Sequence, residues 1–585
     1  MSVATELQTL QTNIGNAYTT IGTKGGTVPA NKNTDNLATA IDSIPSGGTP
    51  QPLDPQVVYQ QTRPADWLEM PTPGTDEIYM LLQIPSDCID DQDFSMSVTG
   101  SNEKTVSFGT VSSGTFVPDP DLVYTQAPTA FSIQIPVNKF SDLTSDGMLQ
   151  LMCKISSTGI TGFTNATGSL IYKRIVEFKG GNMTAFNGGF PGGNSTYRWT
   201  RLRYYSLGSN LVTSFQNAFQ ACSSLIAVLN LDTSMATNLQ NMFSGCTELL
   251  AIPQIDTSSV TNFSYAFNNC RKIRALPLIN TGNGTNFTGV FTSCTNLRVV
   301  PNIDTGKGTN FTSMFSSCTN LSSIPLLDTS KGTIFTQMFQ SCSSLETIPA
   351  LNTSEGTSFG SMLSGCANLT SVPQFNTAKG TDFNSMFQGC AKLTSIPLLN
   401  TSLGTDFTSM FSGCTLLASI PLIDTSEGTS FIGMFSGSGI AKLPQIDTSK
   451  GTSFTQMFQG CIALGYYDLS IYDFSKVTTT SGLTSIISPM GGETVRFNPT
   501  LDQNKIYNTG TILQGTVSYV SASNPAKIIF PQNSMVQIAV NATTLFMNNP
   551  NIHIFVPDNL LATYQADTYW ATLGARLKPL SEWSA

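Results

Sequence analysis

Cysteine is the residue type in this sequence whose spacing most directly suggests chemistry. Of the twelve cysteines, nine recur at intervals of 24 residues. These nine are Cys222, Cys246, Cys270, Cys294, Cys318, Cys342, Cys366, Cys390 and Cys414. The series continues with Ser438 and, after the loss of one residue, with Cys461. A column of thiols could form disulfides, bind a metal or act as nucleophiles.

We interpret this cysteine column as structural. If neighbouring repeats stack at strand spacing, their Cα atoms lie within disulfide distance, but parallel Cβ directions give poor geometry for a bridge. No histidine lies near the column, which disfavours a ladder of metal sites. Ser438 indicates that the position selects a small side chain rather than a thiol. The column therefore predicts buried thiols that fill a core, with Cys318, Cys342 and Cys366 near its centre.

Carboxylates are the second candidate for chemistry. A column of Asp and Asn keeps the same interval, and Asn occupies four of its positions. The column comprises Asp232, Asp256, Asn280, Asp304, Asp328, Asn352, Asn376, Asn400, Asp424 and Asp447. Acid–base catalysis needs a carboxyl group, whereas a turn in which the side chain bonds the backbone accepts either residue. We therefore predict turns at this column.

Histidine provides no better candidate. His553 is the only histidine and lies between two isoleucines in an apparent strand, where a structural role is favoured over catalysis. No nucleophile elbow, phosphate loop or dinucleotide fingerprint is present. We predict that the protein is not an enzyme and has no catalytic residue, no cofactor site and no metal site.

One repeat shows which secondary-structure elements are predicted to carry these columns. In residues 333–342 the apolar residues fall at i, i+3, i+4 and i+7, which predicts a helix of about two turns. Thr333 would cap this helix, and Gly332 would permit a sharp entry. Residues 321–329 predict a short strand interrupted by Pro325, followed by a turn.

A unit of this size cannot bury its apolar face alone, so stacked repeats must form a solenoid. We predict an α/β solenoid over residues 201–464, with Phe335 buried between Phe311 and Phe359 in a continuous ladder. The repeat L-x-x-I-P-x-x-D-T-S-x-G-T-x-F-x-x-M-F-x-x-C resembles the BspA-type leucine-rich repeats of bacterial and phage surface proteins. This resemblance covers residues 215–464 and implies a leucine-rich-repeat fold on an exposed surface.

The N-terminal region predicts helices. Apolar residues in 4–24 follow a heptad seam, and a second short helix precedes a linker at residues 47–57. Residues 1–46 thus form a predicted helical anchor for virion attachment or oligomerisation. The two helices, joined by Gly-Gly-Thr-Val-Pro, resemble the N-terminal anchor of phage tail and fibre proteins. A generic helical hairpin is the alternative.

The flanking domains complete a multidomain α+β chain. Residues 58–200 alternate like strands at 77–84, 131–135 and 169–178 and predict a β-sandwich. Residues 63–71 resemble a short sequence motif that precedes immunoglobulin-like domains in phage and gut-bacterial repeat proteins. Residues 465–585 predict irregular repeats and a C-terminal α/β cap, with a strand and a helix in 552–564, and resemble the end of BspA-type proteins.

Composition excludes some partners. Only 11% of residues are charged and the formal net charge is −9, which argues against nucleic acid. No apolar run reaches the roughly 18 residues that a membrane-spanning helix needs, so no membrane insertion is expected. The first residues carry neither a basic region nor an apolar core, and we expect no signal peptide.

A binding surface is the remaining candidate. Two columns vary while their neighbours repeat, and both should face outward along one extended side. Candidate ligand-facing residues are Gln254, Arg274, Arg298, Asn302, Glu346, Gln374 and Gln445. The alternative is that these are solvent positions free to vary.

From these features we predict a structural virion protein of a bacteriophage, a fibre or appendage that presents the solenoid for receptor binding on the host surface. It would be made in the host cytoplasm and displayed on the particle. Its partners would be other virion proteins through residues 1–50, a host-surface glycan or protein, and further copies of itself. The alternatives are a bacterial cell-surface leucine-rich-repeat adhesin, or a head or neck decoration fibre without a receptor role.

Overall fold

The structure is a computed structural model, and it describes most of the chain beyond residue 50. The described residues are 51–88, 90, 92–100, 102–126, 130–165, 174–183, 199–477, 486, 494–496, 526–529, 552–568 and 570–583. The helices predicted in residues 1–46 lie outside this part. The described part is mostly β, with α-helices only at α1 (Pro55–Thr62) and α2 (Leu561–Ala566). Neither is long and apolar enough to cross a bilayer.

Eight strands follow α1 in two sheets that share one core. They are β1 (Glu77–Pro85), β2 (Gln92–Gly100), β3 (Lys104–Ser112), β4 (Thr115–Gln126), β5 (Ala130–Ile135), β6 (Met148–Ser156), β7 (Ile160–Asn165) and β8 (Ile175–Gly180). One sheet contains β8-β1-β6-β3-β4 and the other β5-β2-β7. Both sheets contribute buried residues to one hydrophobic cluster, for example Met80 and Ile135. The strands predicted at 77–84 and 131–135 lie at β1 and β5.

Strand β1 is buried on both faces. Ile78, Met80 and Leu82 point into the core between the sheets. Tyr79 and Leu81 point the other way, into a second cluster formed with residues of α1 and the segment after it. Successive residues of β1 are therefore all buried instead of alternating between buried and exposed, because a helix covers the face that would otherwise meet solvent.

Helix α1 begins inside the segment predicted to be a linker. Asp54 accepts a hydrogen bond from the Gln56 amide at 2.8 Å, and Pro55 occupies the first helical position. The helix ends at Thr62, since Pro64 disfavours helical backbone at the residue before it. A cap and a proline thus make residues 55–62 helical, across the predicted boundary between the linker and the β-sandwich.

The 24-residue repeats form a β-solenoid, as the period predicts. Parallel bridges join equivalent residues on eleven successive coils: Ser214, Asn238, Asn262, Asn286, Asn310, Ile334, Ser358, Asp382, Asp406, Ser430 and Ser453. Phe335 is fully buried, and its ring stacks 5.7 Å from the ring of Phe311 and 5.7 Å from that of Phe359. The column of which Phe339 is a member forms a second ladder of stacked rings.

The helix predicted in each repeat is wrong. Residues 335–342 form consecutive tight turns, in which the Met338 amide donates to the Phe335 carbonyl at 3.1 Å. Gln337 and Ser341 have φ of 58° and 59°, a left-handed conformation that ends a right-handed helix. Intervening amides donate to the next coil, as Phe335 does to Ser358 at 3.0 Å. The solenoid is therefore β rather than α/β, although the same apolar residues face inward.

Residues 321–329, where the sequence predicts a strand, have no regular secondary structure and join no ladder. Pro325 has no N–H to donate to one. The first and last repeats carry Leu229 and Asp468 where the others carry proline. Regular strands form at both of these places, β10 (Ala227–Leu231) and β11 (Tyr466–Asp468).

These two strands join the solenoid to its neighbours. β10 pairs with β9 (Tyr204–Leu207), which pairs with β8, so one seven-stranded sheet runs across residue 200. At the other end β11 begins a parallel sheet with β12 (Thr494–Arg496), β13 (Ala526–Ile529), β14 (Ile552–Val556) and β15 (Leu577–Pro579). A strand and a helix, β14 and α2, lie where the sequence predicts them. Both solenoid ends are covered by β-structure.

Candidate functional site

One side of the solenoid alternates between exposed and buried rows. In residues 326–329, Leu327 and Thr329 are buried while Leu326 and Asp328 are exposed. We call the first exposed row the Leu/Gln row: Gln254, Leu278, Asn302, Leu326, Ala350, Gln374, Leu398, Leu422 and Gln445. The second is the Asp/Asn column described above, here called the Asx row. The two rows run side by side along the array.

The Leu/Gln row exposes large apolar side chains. Leu278, Leu326, Leu398 and Leu422 are 63%, 69%, 60% and 73% exposed. Leu398 and Leu422 lie on adjacent coils and form a small exposed apolar patch, whereas Leu278 and Leu326 are single exposed leucines of the ordinary kind. Glutamine has a different role in this row, since Gln374 Nε2 donates to the Leu398 carbonyl at 2.7 Å. Gln254 makes the equivalent bond to Leu278.

The Asx row forms the predicted turns. Asp328 Oδ1 accepts a hydrogen bond from the Ser330 amide at 3.0 Å, and Asn376 Oδ1 accepts one from Ala378 at 3.2 Å. The backbone and side-chain hydrogen bonds from Ser330 hold the pKa of Asp328 below its usual range. Such carboxylates stay ionised and are engaged by the backbone, which suits a turn and not a general acid.

A buried threonine column beside the Asx row holds the coils together, and the sequence pattern alone predicted no such role for it. Thr329 is 1% exposed, and its Oγ1 donates to the Asn352 carbonyl of the next coil at 2.7 Å. The same bond recurs along the array. Its signal is the presence of threonine after every Asx residue, from Thr233 to Thr448. Thr333 is not a helix cap, since its hydroxyl donates backward to the Thr309 carbonyl at 3.1 Å.

The remaining candidate residues lie on the same side. Asn302, Gln445 and Glu346 are exposed, whereas Arg274 and Arg298 are half-buried. The Arg298 amide donates to the Arg274 carbonyl at 3.0 Å, so these two belong to adjacent coils. The structure places the candidates in two rows along the array and does not gather them into one cluster.

A groove of about 760 Å³ lies between the Leu/Gln row and the Asx row in the middle of the array. Gln374, Leu398 and Leu422 of the Leu/Gln row form one wall, and the opposite wall is formed by Asn352, Asn376, Asn400 and Asp424. Leu351, Phe375 and Leu399 form the floor. The groove crosses four coils of the solenoid.

The cysteine column lies inside the solenoid. Cys342 is fully buried, and its thiol donates to the Phe315 carbonyl of the preceding coil at 3.0 Å. Burial raises the pKa of this thiol to about 12. These thiols are thus both core fillers and weak donors between coils. Because only the thiolate is a good nucleophile, burial also makes them unreactive.

The single histidine, His553, has cationic neighbours and no described catalytic or metal-binding group around it. His553 lies in β14, and burial together with Lys578, Lys527 and Arg576 lowers its pKa. Within the described residues no three His, Cys, Asp or Glu side chains are placed to hold a metal ion.

Comparison with known proteins agrees with the repeat assignment. The family described as "Mycoplasma protein of unknown function, DUF285" matches in three overlapping stretches, residues 213–324, 309–419 and 405–498. These stretches coincide with the solenoid and the segment after it, so the chain is a repeat protein. No curated protein sequence matches the chain.

Two solved structures are similar at low identity. A leucine-rich repeat protein from Eubacterium ventriosum is 19% identical, with a TM-score of 0.25, over 46% of this chain and 92% of its own. A TLR13–ssRNA13 complex is 15% identical, with a TM-score of 0.17, over 56% of this chain and 51% of its own. At these TM-scores neither structure informs the overall shape or the function of this chain.

Proposed function

We propose that this protein is a non-catalytic structural component of a bacteriophage particle, a fibre or appendage that presents its solenoid for adhesion to the host surface. The observation that carries the adhesive role is the contrast between rows of the solenoid. Buried rows repeat Phe, Met, Cys and Thr from coil to coil, while the exposed Leu/Gln row changes from copy to copy. A constant scaffold with a varied exposed face suits recognition.

The rigidity of the scaffold supports this proposal. Stacked rings, thiol donors and buried threonine hydroxyls link each coil to the next. Both ends continue into β-sheets instead of exposing a core. An exposed row held this way loses little conformational entropy when it binds, which favours affinity.

Assignment to a phage particle rests on the resemblance of residues 1–46 to phage anchors, and it is tested on particles. Purified virions labelled with antibody to this chain should carry label at one defined location in electron micrographs. Particles assembled with a chain lacking residues 1–50 should carry none, although the shortened chain should fold. Absence of label from normal particles would refute the virion assignment.

A bacterial cell-surface adhesin is the second candidate. The description of the matching family names Mycoplasma, a bacterial genus. This favours the bacterial adhesin over a decoration fibre without a receptor role. Label on intact bacterial cells that contain no phage genome would support this alternative. The same exposed face would carry recognition in either case.

A further inference from the structure

We propose that the groove in the middle of the solenoid binds an uncharged polysaccharide strand that lies along the solenoid axis. The inference rests on the proposed adhesive function, because it names the ligand class for the same exposed face. The groove crosses four coils and has walls of opposite character. One wall is mainly apolar, with Leu398 and Leu422 beside Gln374, whereas the other carries three asparagine amides and Asp424.

The asparagines offer donors that are not used within the part of the chain that the structure describes. Asn352, Asn376 and Asn400 each accept a backbone amide on Oδ1, at 3.1, 3.2 and 3.1 Å. Their Nδ2 groups donate to no described residue. Asp304 and Asp328 precede this run and Asp424 and Asp447 follow it. Only at the groove does the row change over three successive coils from carboxylate acceptors to amide donors.

The spacing of these donors suits a chain of sugars. Equivalent residues on adjacent coils are separated by about one strand spacing, roughly 5 Å. Successive sugars in an extended polysaccharide repeat at a similar interval, so each amide can meet a hydroxyl or ring oxygen on consecutive units. The apolar C–H face of each ring can then rest on the leucine wall. A saccharide therefore matches both walls at once.

The charge and the backbone of the groove exclude two other classes of ligand. Its lining contains one carboxylate, Asp424, and neither lysine nor arginine, so a polyanion would find no counter-charge. An extended peptide binds by adding a strand to free backbone N–H and C=O groups. Pro373, Pro397 and Pro421 remove an N–H from each coil beside the leucine wall. Sugar hydroxyls, which donate and accept, do not need that backbone donor.

The test uses affinity electrophoresis of the full-length chain through gels containing one polysaccharide each. Neutral probes are mannan, xylan and hydroxyethyl cellulose, and acidic probes are alginate and hyaluronan. We expect retardation by at least one neutral probe and by neither acidic one. Asn376→Asp replaces a donor by a charged acceptor and should weaken that binding about tenfold. Asp328 and Asp424 show that the row accepts aspartate without loss of the turn.

Asn280→Asp is the matched control, since it makes the same change in the same row outside the groove and should leave binding within about twofold. Leu398→Asn, which copies the natural Asn302 of the same row, should weaken binding as well, whereas Leu278→Asn should not. Retardation by an acidic probe, equal losses at Asn280 and Asn376, or no retardation by any probe would overturn the groove assignment. A chain that adheres to host cells but fails these gels refutes only the ligand, whereas failure in both assays refutes the adhesive function too.

Discussion

Buried threonine hydroxyls are among the groups that link each coil to the next, and Thr329 shows what one of them contributes. Thr329→Val keeps the side-chain shape but removes the buried hydroxyl that donates to the Asn352 carbonyl. We expect a loss of about 1–3 kcal/mol in the free energy of unfolding. Thr333→Val, at a half-buried threonine that also bonds between coils, should cost no more than about 1 kcal/mol.

Hydrogen exchange of peptides covering residues 309–380 measures this difference between the two variants. Protection should fall further in Thr329→Val than in Thr333→Val. Equal loss of protection would mean that burial does not decide what these hydroxyls contribute.

The buried thiols make stability depend on alkaline pH. Burial raises the pKa of Cys342 from 9.0 to about 12, so the unfolded chain releases this proton first. The contribution of this thiol to the free energy of unfolding is therefore complete below pH 9. It declines as the pH rises towards 12, by about 1.4 kcal/mol per pH unit. Cys342→Ser, which copies the natural Ser438, removes the share of this dependence that comes from Cys342.

Urea midpoints at pH 8 and pH 10.5 test the prediction. Between these values the parent chain should lose about 2 kcal/mol more than Cys342→Ser. Parallel losses in the two proteins would show that this thiol is accessible to solvent in the folded state.

Within one coil, glycine and phenylalanine are matched in size. A Cβ on Gly332 would lie 2.6 Å from Phe335 Cζ and 2.9 Å from Phe311 Cε2, so Gly332 makes room for the Phe ladder. Its role is therefore packing, and not the sharp entry that the sequence suggested. The first copies agree, because Ala236 and Val260 occur on either side of Leu239, the leucine that replaces a phenylalanine.

This match predicts coupling between two positions. Gly332→Ala should destabilise the array by about 1–3 kcal/mol through overpacking. Adding Phe335→Leu reproduces the natural pair Ala236 and Leu239, and should cost less than the two single changes together. A double-mutant cycle from urea midpoints should give a coupling of about 1 kcal/mol. Strict additivity would contradict the packing explanation.

On the scale of the molecule, α1 fastens the first β-region to the solenoid. Tyr59 donates to Glu177 at 2.7 Å, and Arg63 pairs with the same buried carboxylate at 2.8 Å. Burial raises the pKa of Glu177, and Arg63 opposes that shift. On the far side Gln56 donates to the Leu229 carbonyl of β10 at 3.5 Å. Helix α1 therefore contacts both β8 of the first β-region and β10 of the solenoid.

Weakening the contact between Tyr59 and Glu177 should make the segment around α1 more accessible to protease. Tyr59→Phe removes a hydrogen bond to a charged group and should cost about 1.5–3 kcal/mol. Limited proteolysis should then cut faster within residues 51–70, while the solenoid stays intact. Tyr124→Phe, in edge strand β4, is the control and should leave the cleavage rate unchanged. Cleavage spread over the solenoid instead would place the role of Tyr59 elsewhere.

The sequence by itself determined the solenoid and the columns that face its core. A regular period puts equivalent residues in equivalent surroundings. The recurrence of Phe at the Phe335 position and of Cys at the Cys342 position on nearly every coil therefore predicts buried columns without knowledge of the backbone path. The replacement of Asp by Asn in one column likewise indicated turns, because such turns are local and depend on side-chain type.

Only the tertiary structure decided the backbone path between these columns. The spacing i, i+3, i+4 and i+7 fits a helix and a run of tight turns equally well. Hydrogen bonds from Phe335 to Ser358 and from Ser341 to Ser364 select the turns, and these bonds join residues 23 apart. The groove and the sheet that crosses residue 200 arise in the same way, since both require segments distant in sequence to lie side by side.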